Sequence, residues 1–496
     1  MSPADLPELV APLLAPGGDG RDALKSASAA LTYAELRAAV LAARETLRRS
    51  GVGPGDRVAL CCPRGLAGIV ALLAVVAAGA AYAPLDPALS EAALARMLGD
   101  LQPALLIVSQ AERAGPQTPA RRALIDPKTL ALTVEDGAAG PDKSGADLAA
   151  LFYTSGSTGA PKGIMLSHAA LAAFVDWGAR SFALRPDDAL INHAPLHFDL
   201  SVFDVFAGLG ARASVRVLDD AEVMFPGAVR RAVLTCGATS WYSAPTALAR
   251  LAERGALTGV TTLRRVLFAG EVFPSPILRR LMLDLPGVEF ANLFGPAETN
   301  VCAFHRLPEP PGAEEPVPIG RACDHCELRL LDEAGRDVAE GETGEICVAG
   351  PSVMQGYWRR PDATAAARLP DWRPDSYRTG DFAYRRGDGL LMFVGRRDAQ
   401  VKVRGRRLEL LALEGALAAH PQVEAAAALV CGGALVAFLA SRRERPALSE
   451  IVGFALDRLP PQYAPDEIVW LERLPLLSNG KCDREALRAL APQGAG

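Results

Sequence analysis

The sequence predicts an α/β protein with a large N-terminal domain of helix-covered β-sheets, a small β-barrel-like subdomain and a small α+β C-terminal domain. Three observations support this prediction. Apolar strand-like runs alternate with Ala- and Leu-rich helical stretches from residue 30 to about residue 300. Short strands with Gly and Pro turns follow, and a charged, Gly-punctuated segment then leads into an amphipathic helix. Alternating strands and helices are typical of parallel sheets covered by helices.

The chain is long enough for more than one domain. It has 496 residues, whereas single hydrophobic cores stop growing near roughly 250–300 residues. The runs DRVALCC, PALLIVS, SVRVL and RRVLFAG predict buried parallel strands, and CELRLLD, GEICVAG and LMFVG predict a barrel or an antiparallel sheet. A new unit begins near Asp398, so we predict an N-terminal domain of residues 1–397 and a C-terminal domain of residues 398–496.

The composition indicates a globular protein without a nucleic-acid or membrane partner. Half of the residues are hydrophobic, 22% are charged and the net charge is −5, which gives no reason to expect DNA, RNA or an anionic membrane surface. The apolar run that begins at Gly68 contains glycines and ends at Pro84, so it predicts buried core and no membrane-spanning helix. The first residues lack a basic flank and an apolar signal core, which leads us to expect a cytoplasmic protein.

Nine cysteines are scattered along the chain. An odd, scattered set indicates reduced thiols. Cys323, His325 and Cys326 form the string CDHC, which allows a zinc interpretation. Because no second Cys or His pair stands at finger-like spacing, we expect ordinary packing of these side chains.

The stretch LFYTSGSTGAPKGIMLSH, residues 151–168, predicts a loop that binds phosphate. Small hydroxyl residues and glycines let a backbone turn tightly and direct its N–H groups at an anion, and Lys162 supplies a positive charge. A Walker loop is excluded because its Lys-Ser/Thr pair is missing. A flexible surface turn is the alternative, but an apolar strand-like run leads into the loop, as it does at ligand sites of α/β folds.

Three further stretches indicate which kind of protein this loop belongs to. They are NLFGPAETN, YRTGDFAYRRGDGLLMFVGRRDAQVKVRG and LPLLSNGKCDREAL. Together with YTSGSTGAPKG they resemble, in order and across nearly the whole chain, the motifs of the adenylate-forming superfamily. That superfamily includes acyl-CoA synthetases, luciferases and the adenylation domains of nonribosomal peptide synthetases. The resemblance implies that a carboxylate is joined to the α-phosphate of ATP with release of pyrophosphate, and that the acyl group then passes to a thiol.

The resemblance assigns residues to the nucleotide. Glu298 would bind Mg²⁺, Asp381 and Arg396 the ribose, and Phe294 the adenine ring. Carboxylate oxygens suit Mg²⁺, and phosphoryl transfer depends mostly on positioning and charge neutralisation. The residues implied to bind ATP are Thr154, Ser155, Gly156, Ser157, Thr158, Gly159, Lys162, Gly270, Glu271, Asn292, Phe294, Gly295, Asp381 and Arg396.

The same resemblance implies a catalytic lysine and a hinge. Lys481 in SNGK would hold the substrate carboxylate against the α-phosphate. Asp398 would be the hinge about which a mobile C-terminal domain rotates between the two half-reactions, and Lys402 would then line the thiol channel. Taken alone, Asp381 could cap a turn, Arg396 could be a surface cation and Lys481 could belong to a solvated turn.

One position departs from the family pattern. The family usually has Thr before the Glu of the nucleotide motif, whereas this chain has Ala297 before Glu298. A hydroxyl that could contact the α-phosphate is therefore missing. The expected cost is on the order of 1 kcal/mol for a neutral hydrogen bond, which leaves open a slower first step.

The segment HAPLHFDLSVFDVF, residues 193–206, indicates an amino acid substrate. In the amino-acid-activating members that it resembles, the Asp of the FDxS segment binds the substrate's α-ammonium, and here that residue is Asp199. A carboxylate in an apolar pocket needs a cation to stay charged, and fatty-acyl or aryl substrates do not need it. Asp199 could instead cap the following helix. His197, placed with the catalytic residues, could be an aromatic gate or plain packing.

The family's pocket positions predict a small apolar cavity, because Phe203 and Tyr242 are bulky. Such a cavity favours a compact aliphatic amino acid. The pattern, together with GPAETNVCAFH, resembles the stand-alone ligases that load L-proline onto a carrier protein in pyrrole-2-carboxylate pathways, a branch of antibiotic biosynthesis. Physical reasoning alone does not separate proline from valine or pipecolate, since one methylene is worth only about 1–3 kcal/mol. The implied lining is Asp199, Leu200, Phe203, Tyr242, Leu267, Ala269, Leu293, Val301 and Cys302.

The sequence also predicts what accepts the acyl group, and it leaves two alternative functions open. No GGxS carrier motif follows Lys481 and no HHxxxDG motif precedes the core, so we expect a phosphopantetheine thiol supplied in trans by a separate peptidyl carrier protein. An acyl- or aryl-CoA ligase of the same fold is the alternative enzyme, and Asp199 argues against it. A catalytically weak protein that merely binds a carrier protein is the alternative of another class, supported by Ala297 alone.

Overall fold

The computed structural model describes residues 6–109, 121–135, 143, 147–155, 161–312, 315–396, 400–403, 406–441, 445–475 and 482–492. Its strands, in chain order, are β1 Asp22–Lys25, β2 Ala30–Thr32, β3 Arg57–Cys61, β4 Ala81–Pro84, β5 Leu105–Ser109, β6 Arg122–Ile125, β7 Leu132–Val134, β8 Leu148–Ser155, β9 Pro161–Ser167, β10 Ala189–Asn192, β11 Ser214–Val217, β12 Ser240–Ser243, β13 Arg265–Ala269, β14 Glu289–Phe294, β15 Ala303–Leu307, β16 Arg321–Ala322, β17 Glu327–Leu331, β18 Thr343–Ala349, β19 Gly356–Tyr357, β20 Ser376–Arg385, β21 Leu391–Arg396, β22 Gln400–Val403, β23 Arg406–Glu409, β24 Ala425–Cys431, β25 Ala434–Ala440 and β26 Glu467–Leu471.

Helices connect most of these strands. The α-helices are α1 Ala11–Leu14, α2 Tyr33–Arg49, α3 Leu66–Ala77, α4 Glu91–Leu101, α5 His168–Ser181, α6 Asp220–Met224, α7 Pro226–Cys236, α8 Pro245–Glu253, α9 Ser275–Asp284, α10 Pro361–Ala366, α11 Leu410–Ala418, α12 Leu448–Leu456 and α13 Arg484–Ala489. A π-helix covers Phe203–Gly208 and a 3₁₀-helix covers Pro461–Tyr463.

Capping side chains and apolar patterns explain where several helices begin. The hydroxyl of Thr32 accepts the backbone N–H of Glu35 and the Glu35 carboxylate accepts that of Thr32, which forms a capping box for α2. Ser167 caps α5 by accepting the N–H of Ala170. All 12 residues of α3 are buried, so the long apolar run that begins at Gly68 is core, as predicted.

The largest sheet has nine strands in the order β16-β15-β14-β13-β12-β10-β11-β1-β2. Its central strands, from β1 through β11, β10, β12 and β13 to β14, pair in parallel, and β2, β15 and β16 add antiparallel edges. Parallel strands end at one common edge of the sheet. In open α/β sheets that edge is where ligands bind, so the ends of β10, β12, β13 and β14 are the place to search for a site.

A second sheet has eight strands in the order β19-β9-β8-β4-β3-β5-β6-β7. Strands β8, β4, β3, β5 and β6 pair in parallel, whereas β7 and β19 pair antiparallel with their neighbours. Strand β8 is the apolar run that was predicted to lead into the phosphate loop.

Three smaller sheets account for the other strands. Strands β17, β18, β20 and β21 form a four-stranded sheet with antiparallel pairs, where short strands with Gly and Pro turns were predicted. Near the end of the chain, β22 and β23 form a two-stranded antiparallel sheet, and β24, β25 and β26 form a sheet packed on α11 and α12. The predicted α/β fold class, with sheets and helices throughout and a small α+β region at the end, is confirmed.

The chain divides into two compact units. The first comprises Met1–Pro87, Leu101–Tyr153 and Gly163–Gly395, and the second comprises Ala88–Asp100, Thr154–Lys162 and Arg396–Gly496. Within the second unit the Ser90 hydroxyl donates to the carbonyl oxygen of Leu456 at 3.2 Å. The boundary between residues 397 and 398, together with the hinge residue Asp398, lies outside the described residues and stays a prediction.

None of the helices in the described ranges is both long and apolar enough to cross a membrane. All nine cysteines lie within those ranges, and each carries a free thiol.

Candidate active site

Four predicted lining residues of the substrate pocket lie on one face of the nine-stranded sheet. Asn192 at the end of β10 pairs in register with Tyr242, and Tyr242 pairs with Leu267. Two residues after Leu267 in β13, Ala269 pairs with Leu293 of β14. Residues in register share a face, as do residues two apart on one strand. The structure therefore brings Tyr242, Leu267, Ala269 and Leu293 together, and all four are buried.

Phe203 borders the same place from the π-helix. Its ring centroid lies 5.5 Å from that of Tyr242, with the two rings close to perpendicular. Gly178 of α5 permits this position, because a Cβ there would lie 2.9 Å from the Phe203 ring. π-Helical turns are rare and are frequent at functional sites. Leu200, just before this helix, is half-buried and packs against the same core.

Val301 and Cys302 are the last two predicted lining residues, and both are buried. The backbone N–H of Cys302 donates to the carbonyl oxygen of Phe294 at 2.8 Å. This bond brings the segment back beside the end of β14. Burial raises the pKa of the Cys302 thiol, so the thiol is a neutral group near pH 7.

Asp199 is half-buried and acts electrostatically on two buried phenols. Burial raises the pKa of Tyr82 and of Tyr242, and the negative charge of Asp199 raises both further. Asp199 is therefore within electrostatic range of both phenols, one of which, Tyr242, is a predicted pocket residue. Tyr82 was not predicted as a site residue, because its strand β4 has the pattern of ordinary buried core.

The loop that carries Asp199 is fixed where it leaves β10. The Arg64 guanidinium donates to the carbonyl oxygen of His193. His193 Nδ1 lies 2.8 Å from Ser243 Oγ at the end of β12. Burial lowers the pKa of His193 to about 3, so its imidazole is neutral near pH 7. Nothing in the sequence motifs indicated Arg64 or Ser243, whose roles depend on the pairing of distant strands.

His197 lies in the same loop. Its Nε2 is 3.5 Å from Asp86 Oδ2, and its ring is 5.5 Å from that of Phe198. Ser201 Oγ donates to the carbonyl oxygen of Phe198 at 2.6 Å and so closes the loop. His197 is therefore placed near Asp199 in the chain and beside a second carboxylate in space.

A second carboxyl, Asp204, follows Phe203 in the π-helix and is 1% exposed. Asn192 Nδ2 donates to Asp204 Oδ2 at 3.1 Å. Asp204 Oδ1 is buried and has no hydrogen-bond partner among the described residues. Burial raises the pKa of Asp204 well above its ordinary range, and the bond from Asn192 lowers it only in part. Asp204 therefore favours its neutral form, a feature that the apolar lining predicted from the sequence did not include.

Glu298, the predicted Mg²⁺ ligand, is fully buried. Its Oε1 accepts a hydrogen bond from the Tyr357 phenol at 2.8 Å, and that phenol lies 3.1 Å from the hydroxyl of Tyr377. The Glu298 carbonyl oxygen accepts the N–H of Met354 at 2.7 Å. Strand β19 and its surroundings thus fix both the backbone and the carboxylate of Glu298. The sequence did not indicate Tyr357.

The structure shows contacts for three other residues that were predicted to bind the nucleotide. The Phe294 ring lies 6.1 Å from that of Phe393. Asp381 is 4% exposed, and its backbone N–H donates to Thr379 Oγ1 at 3.0 Å. Asn292 Nδ2 donates to a backbone carbonyl at 2.8 Å.

Two predicted glycines are required by their backbone. Gly270 has φ 101°, in the left-handed region. A Cβ on Gly295 would lie 1.7 Å from the carbonyl oxygen of Asn300, so no other residue fits there. Next to Gly270, the Glu271 carboxylate accepts the backbone N–H of Thr246 at 3.1 Å and also its hydroxyl.

The remaining predicted residues are spread over several elements. Thr154 and Ser155 lie at the end of β8, Lys162 in β9, Arg396 at the end of β21 and Lys402 in β22. The predicted site residues outside the described residues are Gly156, Ser157, Thr158, Gly159, Asp398 and Lys481.

Comparisons with known proteins agree with these motifs. Residues 15–358 match the family described as "AMP-binding enzyme". A protein of Streptomyces coelicolor named L-proline--[L-prolyl-carrier protein] ligase is 38% identical, with 93% of this chain and 92% of that protein covered. A protein of the same name from Pseudomonas fluorescens is 37% identical, with 92% and 94% covered. The crystal structure of IdnL1 has a TM-score of 0.81 at 31% identity, and 92% of this chain and 96% of that chain are covered. The chain therefore belongs to the family of AMP-binding enzymes, the adenylate-forming proteins that its motifs resemble.

Proposed function

We propose that this protein is a ligase that activates L-proline, or a similarly small apolar amino acid, as aminoacyl-AMP. The first half-reaction consumes ATP and releases pyrophosphate. In the second, the aminoacyl group forms a thioester with the phosphopantetheine thiol of a separate peptidyl carrier protein. The observation that carries the proposal is the electrostatic effect of the half-buried Asp199 on Tyr242, whose ring packs edge-to-face on that of Phe203.

Asp199 supports an amino acid as the substrate. A half-buried carboxylate near two buried phenols is stabilised by a cation, and the ammonium of an amino acid provides one. An aryl or fatty acid brings no cation. The edge-to-face contact of Phe203 and Tyr242 limits the space for the substrate side chain. The names of the two relatives from Streptomyces coelicolor and Pseudomonas fluorescens support proline among the compact amino acids.

Glu298 fits a role as a Mg²⁺ ligand. The part of the chain that the structure describes has no group of three or more His, Cys, Asp or Glu side chains that could hold a metal. Mg²⁺ does not require such a cage, because it is usually held by one or two carboxylates together with substrate phosphates and water. The bond from Tyr357 orients the Glu298 carboxylate, as outer partners of metal ligands do. Bound Mg²⁺ would neutralise phosphate charge.

The other roles follow the family motifs. Asp381 and Arg396 would bind the ribose, Phe294 would stack on the adenine, and residues 154–159 would bind the phosphates. Within the C-terminal domain of residues 398–496, Lys481 would act in adenylate formation and Lys402 in thioester formation. Rotation about Asp398 would exchange these two lysines at the site. A cytoplasmic location stays a prediction.

The test is ATP–pyrophosphate exchange measured for each of the common amino acids, together with benzoate and a fatty acid. We expect exchange with L-proline to exceed that with the other substrates. Asp199→Ala should abolish it, because the substrate ammonium would then be buried without a partner. Asp362→Ala is the matched control, since Asp362 is an exposed aspartate in the first turn of α10, and it should keep the wild-type rate.

Three results would overturn parts of the proposal. A preference for benzoate or the fatty acid would indicate an acyl- or aryl-CoA ligase. Absence of exchange with every carboxylate would indicate a protein that only binds a carrier. Exchange with proline but no loading of a phosphopantetheine-bearing carrier protein would show that this protein does not catalyse the proposed second half-reaction.

A further inference from the structure

Asn300 carries a buried side-chain amide. The residue is 3% exposed, and its Nδ2 is buried without a hydrogen bond in the described part of the chain. Buried donors in native proteins are almost always hydrogen-bonded, and an unpaired one calls for an explanation. Because this donor stands two residues after the proposed Mg²⁺ ligand in the chain, a ligand atom is one partner that would satisfy it.

The position of Asn300 in the motif indicates which ligand atoms are near. Glu298, two residues earlier, is the proposed Mg²⁺ ligand on the phosphate side. Val301 and Cys302, directly after Asn300, are buried residues of the proposed amino acid pocket. Along the chain, Asn300 thus stands between the proposed Mg²⁺ ligand and the proposed pocket residues. In the proposed reaction the two substrates meet through an oxygen of the amino acid carboxylate and an oxygen of the α-phosphate, and both are anionic acceptors.

The backbone at Asn300 is held by contacts that do not involve its carboxamide. Thr299 Oγ1 donates to the Asn300 carbonyl oxygen at 2.9 Å, and the same oxygen lies against Gly295. The φ of Asn300 is 52°, in the left-handed region, which Asn tolerates better than most residues with a side chain. A glycine would adopt this conformation without strain. The backbone requirement and the carboxamide can therefore be separated by mutation.

Ala297 leaves this part of the proposed site without a hydrogen-bond donor that the Asn300 amide could replace. The family usually supplies a threonine hydroxyl at that position, and here a methyl group stands in its place. We propose that the Asn300 carboxamide donates a hydrogen bond to an anionic oxygen where the amino acid carboxylate meets the α-phosphate, and that it replaces the donor that Ala297 lacks. This inference rests on the proposed function.

The experiment compares Asn300→Gly with wild type in proline-dependent ATP–pyrophosphate exchange. We expect kcat/KM to fall by about 10- to 100-fold, the range for losing one hydrogen bond to a charged group. Ala183→Gly is the matched control, because Ala183 is an exposed residue that also has a left-handed φ, of 44°. It should keep the wild-type rate. Melting temperatures of both variants within about 2 °C of wild type would show that the loss does not come from unfolding.

The kinetic constants identify the oxygen that is bound. A rise in the KM for proline alone assigns the bond to the amino acid carboxylate, whereas a rise in the KM for ATP alone assigns it to the α-phosphate. A fall in kcat with both KM values unchanged assigns it to the transition state. An Asn300→Gly enzyme within twofold of wild type would overturn the inference and leave the proposed function intact, since wild type itself reports on that function. Absence of exchange in wild type would overturn both.

Discussion

Replacing Asp204 by Asn should stabilise the protein, and more so at higher pH. Asp204 is 1% exposed, and its single hydrogen-bond partner among the described residues is the Asn192 amide. Asn has nearly the same shape as a protonated Asp and can accept the same bond from Asn192. The variant therefore keeps the packing and removes the titratable group.

The magnitude follows from proton linkage. Burial raises the pKa of Asp204 well above the value of 3.8 that applies to the unfolded chain. Between those two pKa values the folded state holds a proton that the unfolded state has lost, so folding takes up one proton. The free energy of unfolding of the wild type therefore falls by about 1.4 kcal/mol per pH unit as the pH rises through this window, relative to the variant. Above the folded-state pKa of Asp204 the difference levels off.

Calorimetric melting of both proteins from about pH 4.5 to 8.5 measures this difference. One kcal/mol corresponds to a shift in melting temperature of about 2–4 °C for a domain of about 150–250 residues, and to a smaller shift for a domain as large as this one. Asp388→Asn is the control, because the Arg386 guanidinium lowers the pKa of Asp388 to about 2. Asp388 is thus ionised in both states throughout this range, and its replacement should cause a shift that does not vary with pH.

A constant offset between the wild type and Asp204→Asn over the whole range would refute this reasoning, since it would mean that Asp204 titrates like a solvated carboxyl. A variant that loses stability progressively with rising pH would refute it as well. That result would mean that the carboxylate is ionised and paired in the folded protein.

Three further predictions concern the proposed reaction. Tyr242→Ala should weaken proline-dependent exchange and admit larger apolar amino acids, because it enlarges the pocket beside Phe203; an unchanged substrate profile would show that Tyr242 does not border the substrate. Tyr357→Phe should raise the Mg²⁺ concentration needed for half-maximal exchange by about 10-fold or more, since losing an outer partner that orients a metal ligand typically costs about 10–100-fold in metal affinity; a Mg²⁺ titration identical to that of wild type would argue against Glu298 as the ligand. Lys481→Ala should slow adenylate formation by roughly 10²–10³-fold and spare thiol transfer from preformed adenylate, and exchange within threefold of wild type would reject the assignment.

The fold could be predicted from the sequence because its signals are local. Apolar runs such as RRVLFAG become buried parallel strands, and the Gly- and Pro-rich region after Glu298 becomes the four-stranded sheet with antiparallel pairs. The order of the strands within a sheet has no local sequence signal, because it depends on which side chains meet across the sheets. The grouping of residues 88–100 with the second unit was likewise not predicted, since α4 has the pattern of any amphipathic helix.

The candidate site also has parts that could be predicted from the sequence and parts that could not. Tyr242, Leu267, Ala269 and Leu293 were placed by motif, and strand register brings them to one face. Tyr357 could not be found, because its phenol meets a carboxylate 59 residues away in the chain. The same holds for the His193–Ser243 contact, which joins the ends of two neighbouring strands. Such partners carry no sequence signal of their own, since a tyrosine or serine at a strand end is common.

Asp199 and Asp204 show why residue type alone does not define a role. A negative charge on either carboxyl would raise the pKa of Tyr242, so both lie within electrostatic range of that phenol. Asp199 is half-buried, whereas Asp204 is fully buried and accepts a bond from a neutral amide. Two ionised carboxylates at this place would need two cations, and an amino acid with an apolar side chain brings one. Because burial raises the pKa of Asp204 and so favours its neutral form, the proposed pocket needs only the charge of Asp199 to match one ammonium. Asp204 therefore cannot take over the role of Asp199, and Asp199→Ala should remain inactive at every pH at which Asp204 stays protonated.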